Sequence, residues 1–195
     1  EITYDDILRK YMHELHANEI VLLSYYIAAI NIESVFDEIN GPDRGYQPFE
    51  GIVLTDTFES TERENSFMDN LLGENNERLR KQQEQPITAI IGNPPYSSGQ
   101  NSANDNNQNE TYPILEESIS KTYVSKSKAY NFAGVYDSYI KAFRWSSDRL
   151  SGNGIIGFVT NGSYIYSKSM DGLRASLYNE FNHLYIFNLR GNQRT

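Results

Sequence analysis

The 195-residue chain carries 17 basic and 26 acidic residues, a net charge of −9 and no cysteine. No disulfide framework, thiolate zinc site or cysteine nucleophile is therefore possible, and the longest mostly apolar run, Ile20 to Ile32, is too short to cross a bilayer. Length and composition point to a soluble, cytoplasmic protein of one domain, with no membrane partner and apolar content for a sizeable core.

In chain order, Thr3 to Tyr11 has helical spacing, with Asp5 and Asp6 in the first turn where acids suit the dipole. Leu15 to Ile20 reads as a short strand and Val21 to Ile32 as a buried helix without a breaker. Gly41 to Gln47 is loop, and Ile52 to Leu54 is strand. Glu59 to Gln85 is charged and Leu-punctuated, helical up to Pro86. Ala89, Ile90 and Ile91 then read as a fully buried strand, which Pro94 and Pro95 forbid from continuing because neither can donate a ladder hydrogen bond. Ser97 to Asn109 is almost wholly polar and reads as the start of a mobile insertion reaching residue 130. Tyr136 to Leu150 is an amphipathic helix, Ile155 to Val159 a strand, Leu173 to Phe181 a helix and Leu184 to Leu189 a last strand. Strands alternating with helices predict an α/β fold with a mostly parallel sheet covered on both faces.

Charge is unevenly divided. Residues 1–85 hold 7 basic and 18 acidic side chains and residues 86–195 hold 10 and 8, so the two parts carry −11 and +2. Any contact with a polyanion belongs in the second part, where Lys121, Lys126 and Lys128 read either as backbone contacts or as a solvated surface run.

The chemistry concentrates in AIIGNPPYSSGQ, residues 89–100. After a strand, the amide oxygen of Asn93 and the carbonyl of Pro94 can accept two hydrogen bonds from an exocyclic amine. The prolines hold those acceptors rigid, and Tyr96 can stack on the flat ring that bears the amine. The plainer alternative is a rigid turn from strand to loop. The tetrad resembles the signature of the S-adenosylmethionine-dependent amino-methyltransferases of the adenine-N6 type: Asn or Asp, two prolines and an aromatic residue.

That resemblance implies a Rossmann-like class I methyltransferase sheet with helices on both faces. It implies Asn93, Pro94, Pro95 and Tyr96 as the catalytic residues, and S-adenosylmethionine as the cofactor. In that family the target adenine is flipped out of the duplex, because its N6 cannot be reached within the stack, and the resemblance implies the same here. Glu19, with Ile20 beside it and Ala28, Asn31 and Ile32 following, is similar to the family's ribose-binding motif; a carboxylate there can take both ribose hydroxyls. Asp56, beside Thr57, resembles the position that accepts from the cofactor's adenine amine. As plain structure, Glu19 is an acid at a helix N-terminus and Asp56 an N-cap. Acid after one strand, Asp after the next and the tetrad after a third are expected at one sheet edge.

The wording of residues 14–33 and 136–165 is most similar to single-polypeptide restriction-modification enzymes. It implies double-stranded DNA and other domains of the same polypeptide as partners. The family's Gly-rich cofactor loop has no counterpart before Glu14, so residues 1–195 are expected to be a catalytic domain incomplete at its N-terminus, with little activity alone. The tetrad also occurs in methyltransferases of ribosomal RNA and of a protein glutamine. These remain alternatives, as does a non-catalytic DNA-binding or interaction module. Two other strings carry no chemistry: Gly152, Gly154 and Gly157 lead into a strand instead of following one, and after His13 and Glu14 the place of a second zinc-binding His is Ala17. No metal is implied.

Overall fold

In a computed structural model, residues 2–59, 62, 73–95 and 111–189 are described, and they fall into two compact units, Glu1–Gln85 and Pro86–Thr195. Each contains one pair of parallel strands with its own helices, so the chain is mixed α/β. No helix among the described residues is long and apolar enough to cross a membrane.

The first unit opens with α1 (Tyr4–His13), capped by Thr3. The Asp6 amide donates to Thr3 Oγ1 while the Thr3 amide donates to Asp6 Oδ2, a reciprocal box that satisfies two otherwise orphaned donors. Strand β1 (Ala17–Glu19) leads into α2 (Leu22–Asn40), and β2 (Ile52–Leu54) pairs with β1 in parallel register, Ala17 opposite Ile52 and Glu19 opposite Leu54. Helix α3 (Gly73–Glu84) closes the unit.

Its core is aromatic. Tyr11 stacks on Phe36 with ring centroids 3.7 Å apart and meets Phe49 at 5.3 Å, and Ile52 completes the buried cluster. Such ring contacts contribute about 0.5–1.5 kcal/mol each beyond the area they bury. The Tyr11 hydroxyl donates to the Gln47 carbonyl (3.0 Å), so the one polar atom in this cluster is satisfied.

Burial, reinforced by Glu33, pushes the Tyr11 phenol up from 10.0 to about 12. The neutral form is thus favoured in the folded state. Its contribution to stability is intact below pH 10 and is lost as pH rises through about 12. Following tyrosinate absorbance against pH in wild type and Tyr11→Phe checks this: the variant should lack one late-titrating phenol, and an unchanged titration would contradict the assignment.

The expected buried helix at Val21–Ile32 is corrected in two ways. It runs on to Asn40, and it is buried along one side only: Tyr25, Ala28, Ala29, Ile32 and Phe36 pack on the core, whereas Leu23, Tyr26, Ile27 and Ile30 are exposed. Apolar composition marked the helix, but spacing of three and four residues decided which side the core takes.

In the second unit, β3 (Ile87–Gly92) pairs in parallel with β4 (Leu150–Phe158). The register slips between Ile87 and Ala89, where Ile87 faces Leu150 but Ala89 faces Ile155. Strand β4 therefore starts at Leu150, earlier than expected, with Gly152 turning at φ 75° inside it. Around the pair lie α4 (Pro113–Ile119), α5 (Ser138–Arg149), the single turn α6 (Ser163–Tyr166) and α7 (Asp171–Glu180). Leu115, Ile119, Tyr123, Val135, Tyr139, Ile140, Met170, Leu173 and Leu177 are buried.

Three further expectations change here. Strand β3 is not fully buried: Ala89 is exposed, Ile91 is 88% exposed and Ile155 on the same face of β4 is 71% exposed, because no element of this unit covers that face among the described residues. Leu184–Leu189 forms no strand; Tyr185 and Phe187 stand out in solvent, and the segment has no ladder partner among the described residues. Of the stretch 97–130, residues 97–110 lie outside the described residues, but Pro113–Ile119 is helix, continued by a wide turn over Ser120–Val124 in which the Ser125 amide reaches five residues back to Ser120 O (3.0 Å). Leu115, Ile119 and Tyr123 anchor that segment in the core.

Candidate functional site

Both parallel pairs end in polar residues, and the physical reason is shared. Parallel strands joined by helical crossovers all point the same way, so the loops leaving their carboxyl ends gather on one side of each pair.

In the first unit that side holds Glu19 and Asp56. Glu19 is the last residue of β1, half-buried, and its carbonyl accepts from the Thr55 amide (2.8 Å), which fixes the two strand ends to each other. Ile20 follows, exposed, and α2 begins two residues later. Asp56 lies two residues past β2, and its Oδ1 accepts from the Phe58 amide (2.8 Å) and the Glu59 amide (3.3 Å). One carboxylate oxygen thus folds its own turn, the capping role that sequence leaves open for it, while Thr57 is carried at the tip of that turn. Ala28 and Ile32 pack on the core and Asn31 is exposed.

A residue that sequence does not single out supports this edge. Asn75 of α3 is buried, and its side chain accepts from the Leu54 amide (2.9 Å) and donates to the Leu54 carbonyl (3.0 Å). It reproduces the pattern of a further strand and so holds the end of β2 in place. Inside a charged helical run, nothing in the sequence distinguishes it from a surface Asn.

In the second unit, Asn93 follows β3 directly. The Val159 amide donates to the Gly92 carbonyl (3.1 Å), so the ladder persists up to the tetrad and places Asn93 beside the exit of β4. Asn93 is exposed, Pro94 buried and Pro95 exposed; Tyr96 lies outside the described residues. The backbone at Asn93 is thus held between a strand and a buried proline while the residue itself stays exposed.

The neighbouring exit, Val159 to Tyr164, is fixed by a polar cluster. Asn161 Oδ1 accepts from the Ser163 amide (2.9 Å) and from the Ser163 hydroxyl, and Ser163 Oγ lies 3.2 Å from the Tyr139 hydroxyl. Burial raises the pKa of Tyr139, of Tyr164 and of the Asp137 carboxyl at the start of α5. Phe143 packs edge-on against Phe158 at 5.3 Å and also meets Tyr164 at 5.4 Å. Asn-Gly-Ser immediately after an apolar strand is the signal for this turn that sequence offers.

Among the described residues, no group of three or more His, Asp or Glu is placed to hold a metal ion. Each unit brings its own expected residues to a strand-end edge: Glu19, Ile20, Asp56 and Thr57 in the first, Asn93, Pro94 and Pro95 in the second.

Parallel strand pairs with polar residues at their carboxyl ends define the general class, a mixed α/β protein. The particular family follows from comparison: residues 9–194 match the Eco57I restriction-modification methylase family, and the chain belongs to it. Several solved structures are similar. A nuclease-deletion mutant of the Type ISP restriction-modification enzyme LlaGI, in complex with a DNA substrate mimic, matches with a TM-score of 0.94 and 67% identity over 100% of this chain. The ATP-dependent Type ISP restriction-modification enzyme LlaBIII bound to DNA matches at 0.84 and 60% over 90% of the chain, and a DrdV–DNA complex at 0.79 and 40% over 91%. The chain spans 16%, 12% and 17% of those three chains. No curated protein matches.

Proposed function

We propose that this chain supplies the catalytic residues of a methyltransferase that uses S-adenosylmethionine to methylate adenine N6 in double-stranded DNA, as part of a longer restriction-modification protein. The observation that carries this reading is Asn93-Pro94-Pro95 at the carboxyl end of β3, in a chain of the restriction-modification methylase family. The DNA bound in the three similar structures supports the choice of substrate. A Rossmann-like class I fold accompanies the reading.

The residues fit the cofactor by the chemistry of their donor set. Glu19 offers a half-buried carboxylate that would take two ribose hydroxyls, Ile20 an exposed apolar surface that would meet a purine, and Asp56, with Thr57 beside it, a carboxylate that would accept from a ring amine. When bound, S-adenosylmethionine supplies an electrophilic methyl group. On the protein's side, Asn93 Oδ1 and the Pro94 carbonyl accept from the two N–H groups of the target amine and aim its lone pair. Both are neutral acceptors, so they stabilise the positive charge that develops on nitrogen without first having to lose a proton. Tyr96 stacks on the flipped base, contributing about 1–3 kcal/mol. The proton leaves after methyl transfer, so no strong base is needed.

The test is transfer of labelled methyl groups by the full-length protein to duplex DNA, ribosomal RNA and peptide release factor. Label in DNA at adenine N6 alone is the expected result; label in either other substrate, or none in DNA, overturns the reading. In the same protein, Glu19→Ala removes a charged hydrogen-bond acceptor, a loss of about 1.5–3 kcal/mol. Calorimetric titration should show cofactor affinity falling roughly 10- to 100-fold, in line with that loss. Unchanged affinity would return Glu19 to the role of a helix-start acid.

A further inference from the structure

Two Ser-Lys-Ser runs lie far apart in the sequence, Ser125-Lys126-Ser127, followed by Lys128, and Ser167-Lys168-Ser169. The fold brings both to the beginning of α7. The Asp171 carboxylate accepts from the Ser127 hydroxyl, the Lys128 amide (2.9 Å) and the Gly172 amide (2.8 Å), which ties the first run to the helix. The second run enters the same helix through a tight turn, Lys168–Met170, with the Ser167 and Ser169 hydroxyls 2.8 Å apart.

The result is a surface with unbalanced charge. Lys126, Lys128 and Lys168 are exposed and form no ion pair among the described residues. Other lysines of the same unit are engaged: Lys121 pairs with Glu117 at 2.7 Å and Lys141 with Glu116 at 2.6 Å. Asp171, the acid central to the surface, is occupied by three donors, and Arg174 lies on the same helix with its guanidinium donating to the Tyr164 and Ser167 carbonyls. Two residues from Lys128 and from Lys168 stand Tyr130 and Tyr166, both exposed. Ammonium groups beside serine and tyrosine hydroxyls are the groups that contact phosphodiester oxygens, and such contacts set position and register without reading sequence. The surface also lies in the part of the chain with positive net charge, +2 against −11 for residues 1–85.

We propose that Lys126, Lys128 and Lys168 form a contact surface for the phosphate backbone of duplex DNA. Lys168 joins it and Lys121 drops out, which differs from the set read along the sequence. The proposal rests on DNA being the substrate. Its function is to hold the duplex in register while other residues select the site.

The experiment is equilibrium binding of the full-length protein to a labelled duplex across a salt series. Each phosphate contact contributes about 0.9 to the slope of log K against log salt, so changing all three lysines to Gln should make the slope shallower by about 2.7. Binding should weaken to the same degree on cognate and unrelated duplexes. Changing all three to Arg keeps the charge and should restore the slope. A Gln triple variant with the wild-type slope, or a loss that the Arg triple variant fails to restore, overturns the surface. If the wild-type protein binds no duplex at all, the DNA reading itself has failed; if it binds with the expected slopes but transfers no methyl group, the methyltransferase reading fails and the surface stands.

Discussion

Asn93→Ala in the full-length protein is expected to lower the rate of methyl transfer about 100-fold or more while leaving DNA affinity within a few-fold. The reasoning separates two states. In the ground state the target amine is neutral, and losing one acceptor costs about 1 kcal/mol at most, since water can replace it. In the transition state positive charge grows on nitrogen, and a preorganised acceptor is worth several times more, as the loss of one such hydrogen-bonding group typically costs about 100- to 1000-fold. The backbone that carries Asn93 is fixed on both sides: the Val159 amide holds the Gly92 carbonyl before it, and a buried Pro94 follows. The effect therefore falls on kcat more than on KM. Asn93→Asp keeps an acceptor oxygen and should retain more activity than Asn93→Ala. Equal loss in both would mean that the amide shapes the turn and does not meet the substrate, and an Ala variant with normal turnover would remove Asn93 from the mechanism altogether.

What the sequence made legible divides along a physical line. Elements bounded by residues with a backbone rule are found where expected: β2 before its Asp turn, β3 stopped by two prolines, and α7 within two residues of its expected bounds. The order of Glu19, Asp56 and Asn93 after successive strands was legible for the same reason, because the ends of parallel strands are announced by breakers and caps. Burial was less so. Ile90 and Ile91 read as interior because isoleucine usually is, but a strand's two faces depend on which layers its own unit supplies, and only the side toward Phe143 and Phe158 is packed here among the described residues. The helix at Pro113–Ile119 was hidden by its neighbour in sequence, an Asn-rich stretch whose polarity was extended too far. Its anchors, Leu115, Ile119 and Tyr123, are spaced at four residues and carry the helical period on their own. The polar supports, Asn75 at β2 and the Tyr139–Ser163–Asn161 cluster at β4, join residues distant in sequence, so no local pattern encodes them.

Gly172→Ala tests how α7 and the wide turn at Ser120–Val124 hold the second unit together. In an ordinary exposed helix the change stabilises by up to about 1 kcal/mol, because Ala loses less backbone entropy than Gly on folding. Here the sign should reverse. A Cβ at residue 172 would stand 1.8 Å from the Tyr123 carbonyl oxygen and 2.9 Å from the Ser127 nitrogen. Both are backbone atoms, so relief requires moving a chain segment and not rotating a side chain. That segment is pinned: Tyr123 is buried, Ser176 Oγ donates to the Thr122 carbonyl (3.2 Å), and Asp171 holds Ser127 and Lys128. Arg144 adds to the cost of any shift, since its buried guanidinium lies over the Tyr123 ring (5.5 Å) while bonding Asp148 (2.7 Å) and Glu180 (2.8 Å) across α5 and α7. Overpacking costs about 1–3 kcal/mol where side chains can adjust, and a backbone clash belongs at the top of that range or above it. Hydrogen exchange in the full-length protein reads the effect locally: amides of α7 and of Ser120–Val124 should lose protection by a factor of about 100 in the variant, with α1 and α2 unchanged. Protection equal to wild type, or greater, would show that the helix and the turn are not in backbone contact.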